Sequence, residues 1–256
     1  MGKEGRKSIF RSLAERDLLI PYFRNALLSQ EWPDEYVIKV DSSPYYGKGD
    51  GYFHPSTHAL MPARQLYYHF HPETRDKIVQ EDRTITQEMT LTMGSAIHAV
   101  VQTQFQMAGL IKGPDDCEVE YVDRTHHVRG RVDFIVHHPN GQVIPVELKT
   151  QNSRSFDFQD TIKPIWDAQL SLGLHGTGHP LGILLVVESG YPFRMREYRV
   201  PRNDQLLTQI FQKFDYVREC IALNKVPEYC CMPQSKEMDA CPARYQCWLK
   251  DKVEAS

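Results

Sequence analysis

Gly130-Arg131-Val132-Asp133 sets a single carboxylate inside an apolar run, and Glu147-Leu148-Lys149 sets an acid and a base inside the next. Strands keep charge off their buried faces, because an unpaired carboxylate in an apolar setting costs several kcal/mol or gives up its charge. Three such charges need a partner. A divalent cation is the natural one, since Mg²⁺ or Mn²⁺ takes one or two carboxylates together with water and phosphate oxygens.

Side chains alternate faces along a strand, so Glu147 and Lys149 share one face. Between the two runs, His138-Pro139-Asn140-Gly141-Gln142 is a strong turn signal, and the loop length sets the pairing. A two-residue Asn140-Gly141 loop opposes Asp133 to Leu148 and turns it away from Glu147. A three-residue Pro139-Asn140-Gly141 loop, with Gly141 left-handed in a bulge, opposes Asp133 to Glu147. The second is the register expected here, with the lysine one pleat away. The competing reading is an exposed hairpin with ordinary surface charges, whose buried face is Val132, Phe134, Val136, Ile144, Val146 and Leu148.

These strands need helices to complete a site. Met93, Ile97, Val101 and Phe105 form an apolar stripe at helical spacing, which predicts a helix from Met93 to about Ala108. Gly94 lies one turn before His98 on the same face, where a glycine lets the helix backbone approach a sheet and hold the imidazole over the hairpin. Downstream, Trp166-Asp167-Ala168-Gln169-Leu170 starts another helix and offers the Gln169 amide to a phosphate or to water. A lone histidine or glutamine on a helix is by itself an ordinary structural or surface residue.

Taken in order, Gly94-x-x-x-His98, Gly130-Arg131-x-Asp133, Glu147-x-Lys149 and Gln169 resemble the RecB-like branch of the PD-(D/E)XK nuclease superfamily, the branch of phage exonucleases and CRISPR-associated Cas-four-type proteins. The resemblance runs from about Thr57 to Trp248. It implies an α/β fold with a restriction-endonuclease-like core: a mixed central sheet flanked by helices, with an N-terminal helical segment and a C-terminal cysteine-rich cap. It also implies His98, Asp133, Glu147 and the Leu148 carbonyl as ligands of Mg²⁺ or Mn²⁺, with Asp133, Glu147, Lys149 and Gln169 as the catalytic set. The tyrosine that follows the glutamine in that family is replaced by Gly173, a departure that touches how DNA is held rather than metal binding.

Six cysteines occur, four of them as Cys230, Cys231, Cys241 and Cys247. Cys241 to Cys247 resembles the last two cluster cysteines of the iron–sulfur nucleases in this branch. Met238 and Met61 stand where two further cysteines of that set are expected. Cys230 and Cys231 complete a local set of four for a [4Fe–4S] cluster or Zn²⁺, although adjacent residues seldom both reach one ion. The alternative is a cap of reduced, packed thiols. Cys220 belongs to the helical pattern Leu206, Ile210, Phe214, Val217, Ile221 and reads as core; Cys117 carries no further signal.

With 256 residues and 41% apolar content, the chain can bury one substantial core. A net charge of −3 rules out a globally basic nucleic-acid binder, so any DNA contact must be local. Candidates are Lys3, Arg6, Lys7, Arg11, Arg16, Arg64, Arg124, Arg129, Arg154, Lys163, Arg194 and Arg196. Met1 to Lys7 leads into an amphipathic stretch, and no run approaches membrane-spanning length, so a reducing cytoplasm and no membrane are expected. There, clustered thiols favour metal over disulfides.

The expected domains are an N-terminal helical and loop extension over 1–54, a nuclease core over 55–226 and the cysteine cap over 227–256. Within them, Ile9 to Leu28 and Ile162 to Leu174 read as helical, and Asn203 to Leu223 as a long helix. Gly182 to Glu188 reads as a central buried strand and Met195 to Val200 as an edge strand, with the active site at one sheet edge. The function that the resemblance implies is a metal-dependent DNA exonuclease of replication, recombination or repair, acting on a free end or a single strand. The alternatives are a structure-specific endonuclease of the same fold and a non-catalytic DNA-end-binding or CRISPR-adaptation subunit.

Overall fold

The computed structural model describes residues 17–29, 37–38, 40, 50–78 and 83–249. The basic residues Lys3 to Arg16, the first half of the Ile9–Leu28 helix and most of the loop after it lie outside the described residues. Five strands form one mixed sheet in the order β1 (Cys117–Asp123), β2 (Val128–His137), β3 (Val143–Gln151), β4 (Leu181–Glu188) and β5 (Met195–Pro201). Only β3 and β4 run parallel, and the helical crossover between them covers one face; β5 is an edge, as its alternation predicts. No helix among the described residues is long and apolar enough to cross a membrane.

Helix α1 (Ile20–Ser29) and helix α4 (Ile85–Met107) cover one face of the sheet. Phe23 stacks on Phe105 at 4.2 Å, and Val101 and Phe105 pack with Phe134, Val146, Leu148 and Leu185. The buried Glu197 carboxylate of β5 accepts the Leu18, Leu19 and Ile20 N–H groups, which tethers the start of α1 to the edge strand. Two short helices, α2 (Pro55–His58) and α3 (Ala63–Phe70), precede α4. Helix α5 (Ser153–Phe158), α6 (Pro164–Gly176) and α7 (Asp204–Ala222) lie on the other side, where Leu170, Leu174 and Phe156 meet Leu184, Val186 and Val200. Cys220 is buried, as its place in the α7 pattern predicts.

Helix α4 begins eight residues earlier than the apolar stripe indicates, at Ile85. The reason is a capping box: Thr84 Oγ1 accepts the Gln87 N–H, and the Gln87 side chain accepts the Thr84 N–H at 2.8 Å. Met93, at the head of the stripe, is half exposed, because the first two turns of α4 extend beyond the sheet. Helix α6 likewise starts at Pro164, the first-turn position that proline favours, and continues to Gly176.

The inner strand β2 changes face partway along. In a regular strand residues two apart share a face, yet Phe134 packs beneath α4 while Val132 packs with Ala168 and Leu172 of α6. Opposite the change, Glu118 of β1 has a left-handed φ of 53° and interrupts the pairing between Cys117↔Phe134 and Val119↔Val132. The single buried face of Val132, Phe134 and Val136 that the competing hairpin reading requires is therefore divided, with Asp133 at the division.

Tyr121 of β1 fills the space between β2 and α6. A Cβ at Gly130 or Gly176 would overlap the Tyr121 side chain, and one at Gly173 would stand 2.9 Å from Val132 Cγ2. The position where the resembled family carries a tyrosine is thus closed chiefly by Val132 of β2, with the Tyr121 ring in ordinary contact. Gly176→Ala is expected to lower stability by about 1–3 kcal/mol through overpacking, read by urea denaturation. Wild-type stability would mean that α6 is not seated this closely.

Candidate active site

The β2–β3 connection is the three-residue loop: His138 donates its N–H to the Gln142 carbonyl, and Gly141 has a φ of 89°. The paired register runs from His137↔Val143 to Phe134↔Val146 and there the ladder stops. One step further on, Asp133 faces Glu147. Beyond that step β2 stays with β1 as far as Val128 and β3 stays with β4 as far as Gln151, so the two inner strands part as a fork. The candidate site lies in this fork rather than at the sheet edge, because β2 and β3 are both inner strands of the sheet.

All the side chains singled out around Asp133 are brought together. Asp133 Oδ2 accepts the Leu148 N–H at 2.6 Å, replacing the ladder bond that the fork removes. Lys149 Nζ donates to Glu147 Oε1 at 2.7 Å and to Gln169 Oε1 at 2.8 Å. Gln169 thus holds the lysine, a nearer role than the phosphate contact expected of it. His98 Nδ1 stands 3.7 Å from Asp133 Oδ1. The Leu148 side chain is wholly buried, with its backbone between the two carboxylates. A methyl at Gly94 would meet Thr150 Oγ1 at an ordinary 3.6 Å, so α4 tolerates a small residue there rather than demanding glycine.

Burial governs the electrostatics. It pushes the Glu147 carboxyl up to about 7, with the Asp133 charge adding to the shift, even though Lys149 opposes it. It pushes Asp133 up to about 6, against the pull of Lys149. His98 is held below the usual imidazole value, chiefly by burial, and so is neutral and able to donate a lone pair. Lys149 is disfavoured as a cation by burial, but Glu147 and then Asp133 more than offset this and its value rises.

Gln102 and Glu118 also belong to the site. Gln102 Nε2 donates to the Asp133 carbonyl at 2.8 Å and to Glu118 Oε1 at 2.9 Å, and Arg131 pairs with Glu118 Oε2. Gln102 lies one helical turn after His98, a spacing that carries the signal; nothing in the pattern of β1 marks Glu118.

Among the described residues no three His, Cys, Asp or Glu side chains are close enough to hold an ion as they stand. At the fork, the Lys149 ammonium already supplies counter-charge to Glu147. The donor types, two carboxylates and a neutral imidazole, nonetheless fit a hard divalent cation.

In the cap, Cys230, Cys231, Cys241 and Cys247 line one cavity together with Arg64, Gln65 and Tyr68 of α3. All are free thiols. Burial, then the neighbouring cysteines, push the Cys230 thiol up, and burial does the same to Cys241. The early helix does reach this cavity, but through Arg64, whose Nε donates to Cys247 Sγ at 2.9 Å. Met61 instead packs in the core beneath α6 and α7. Several candidate DNA-binding cations are similarly engaged: Arg194 with Glu188 and Asp157, Arg196 with the Phe156 and Gln159 carbonyls, Arg129 with Glu120. Arg124, Arg154 and Lys163 lie on the surface.

A scan against protein-family models and a search of curated proteins each give no match. Among solved structures, LHK-Exo in complex with dAMP has the same fold, at a TM-score of 0.50 and 15% identity, over 68% of this chain and 89% of that one. A second structure, of the alkaline exonuclease LHK-Exo from Laribacter hongkongensis, gives 0.48 and 17% over 68% and 89%. SSO0001 gives 0.48 and 18% over 91% of this chain and 95% of its own. The likeness is one of fold: a mixed sheet flanked by helices.

The raised carboxyl values fix how stability depends on pH. Without a cation these two carboxyls hold protons in the folded chain that they have lost in the unfolded one, so their contribution to stability should fall as pH rises from about 4 to about 7, then level off. In chelator, Asp133→Asn with Glu147→Gln should remove this fall. The difference in fall between the wild-type and variant curves over that range should amount to on the order of 1–3 kcal/mol. Parallel stability–pH curves for the two proteins would contradict the assignment.

Proposed function

We propose that this chain is a metal-dependent DNA nuclease that removes nucleotides from a free end by hydrolysing phosphodiester bonds. The observation that carries the reading is the fork itself: two carboxylates face each other, Glu147 buried and Asp133 partly so, with a lysine beside them. Such an arrangement is costly for a purely structural purpose, and a bound cation would relieve it. Asp133, Glu147, the Leu148 carbonyl and neutral His98 would hold Mg²⁺ or Mn²⁺. The ion supplies positive charge at the scissile phosphate and makes nearby water more acidic.

The chain's own residues do the rest. Gln169 and Glu147 hold the Lys149 ammonium on the face of β3 where the phosphate would enter, poised to orient the attacking water or to donate to a phosphate oxygen as negative charge develops. Gln102 and the Leu148 N–H fix Asp133 from both its carbonyl and its carboxylate, so the acid does not reorganise during the reaction. The fold shared with LHK-Exo, an exonuclease crystallised with dAMP, supports this reading.

A second ion belongs to the same proposal. Four soft thiols around one cavity suit a [4Fe–4S] cluster or Zn²⁺, with Cys230, Cys231, Cys241 and Cys247 as its holders and Arg64 giving up its bond to Cys247. Its role would be to hold the cap against α3, where, among the described residues, Tyr67, Tyr68, Cys220 and Ala243 form a small buried cluster.

The direct test is purified protein with end-labelled linear DNA and with closed circular DNA, with and without Mn²⁺. Mn²⁺-dependent loss of the linear substrate alone is expected; nicking of the circle would favour an endonuclease, and DNA binding without cleavage a non-catalytic subunit. Asp133→Ala, Glu147→Ala and Lys149→Ala should each lower the rate about 10²–10³-fold while remaining folded. Near-wild-type cleavage by either folded carboxylate variant would remove the site from the chemistry.

For the cap, protein prepared without chelator should contain iron or zinc. Cys241→Ser and Cys247→Ser should lower its melting temperature more than they lower the rate. Absence of both metals, with unchanged melting of both variants, would leave a cap held by packing alone.

A further inference from the structure

The turn joining β4 to β5 carries aromatic surface that the core does not use. Tyr191 is 90% exposed and Phe193 58% exposed, and Phe158, at the end of α5, is 78% exposed. The base of the turn is the opposite, closed and anchored. Glu188 has no exposed side-chain surface and accepts Arg194 Nε at 2.8 Å and Arg194 Nη2 at 3.1 Å. The Arg194 guanidinium also lies over Phe156 of α5, 5.0 Å from the ring centre. Bare rings on a backbone pinned at its base suit a contact surface, since the turn that carries them need not be ordered on binding.

The turn is joined to the strand that carries Glu147 and Lys149. Ser189 donates its N–H to the Gln151 carbonyl at 2.7 Å, and a Cβ at Gly190 would stand 3.3 Å from Ser153 Oγ. Gln151 is two residues beyond Lys149, about 7 Å of strand. Helix α5, which begins just after Gln151, packs through Phe156 on the face of the sheet that Glu147 and Lys149 share with Leu184 and Val186. It adds the exposed Arg154 beside Phe158. A strand of DNA with its phosphate in the fork and its path along β3 would bring its neighbouring nucleotide to this ledge.

We propose that Tyr191 and Phe193 stack on unpaired nucleobases next to the scissile phosphate, and so select single-stranded DNA or the frayed end of a duplex. The inference rests on the nuclease reading above. Two rings on a short turn are far smaller than the roughly 800 Å² per partner of a stable protein interface, whereas one ring matches the face of one base. Stacking of this kind ignores base identity, as a nuclease without sequence preference needs.

The test uses the full chain in chelator, which stops hydrolysis, and a fluorescein-labelled single-stranded oligonucleotide beside one of equal length and charge carrying abasic residues. Tyr191→Ala and Phe193→Ala should each weaken binding of the intact strand about tenfold. The dependence of affinity on salt should stay unchanged, because no phosphate contact is lost. Tyr191→Phe and Phe193→Tyr should bind as wild type, and the abasic strand should be bound equally weakly by wild type and both alanine variants.

Wild-type affinity of the double alanine variant for the intact strand would overturn the proposal, as would an equal loss on the abasic strand. If wild type cleaves linear DNA with Mn²⁺ while the double variant binds normally, only the stacking surface fails. If wild type neither binds nor cleaves DNA, the nuclease reading fails and the stacking surface with it.

Discussion

The hydrogen bond from the Leu148 N–H to Asp133 Oδ2 is the contact on which the site depends. The main-chain ladder between β2 and β3 ends at Phe134↔Val146, and this side-chain bond takes its place one step on. A buried N–H cannot be left unpaired without a penalty of about 1–3 kcal/mol, so the fork needs an acceptor at that position. An aspartate satisfies it and leaves its second oxygen beside His98. Beyond the same fork β2 stays paired with β1 and β3 with β4. Stability and chemistry are therefore coupled at Asp133: the residue that closes the backbone also faces Glu147.

That coupling explains why the surrounding structure is irregular. β2 changes face at Asp133, Glu118 adopts a left-handed φ opposite it, and Gln102 reaches from α4 to hold both the Asp133 carbonyl and Glu118. Interruptions of this kind concentrate where a strand must re-aim a side chain. Tyr121, packed against three glycines, keeps α6 flush with the sheet and so sets the height at which Gln169 meets Lys149.

Much of this was legible from residue types and spacing. The turn residues allowed both a two- and a three-residue loop, and the need to bring Asp133 opposite Glu147 favoured the second, which the structure has; the Asn203–Leu223 helix followed from its apolar period. The fork itself was not legible: a period of two presumes a regular strand, and it assigned Val132 and Phe134 to one face. The early start of α4 was written in Thr84 and Gln87, but the apolar stripe drew attention to Met93. At the cap, the family resemblance pointed to Met61, whereas helix packing brings Arg64 to Cys247. Contacts between distant segments, such as Gln102 with Glu118 or Arg64 with Cys247, have no local signature in a single chain.

The central claim is that the buried carboxylates at the fork form a cation site, and calorimetric titration of Mn²⁺ into chelator-free protein, in buffers of different ionisation enthalpy, tests it most directly. Binding should release protons near pH 6.5, where carboxyls raised to about 6 and about 7 are partly protonated, and release almost none near pH 9. Glu147→Gln should lose both the binding and the release. Binding of Mn²⁺ with equal affinity and equal proton release by wild type, Asp133→Asn and Glu147→Gln would contradict the account, as would no binding at all.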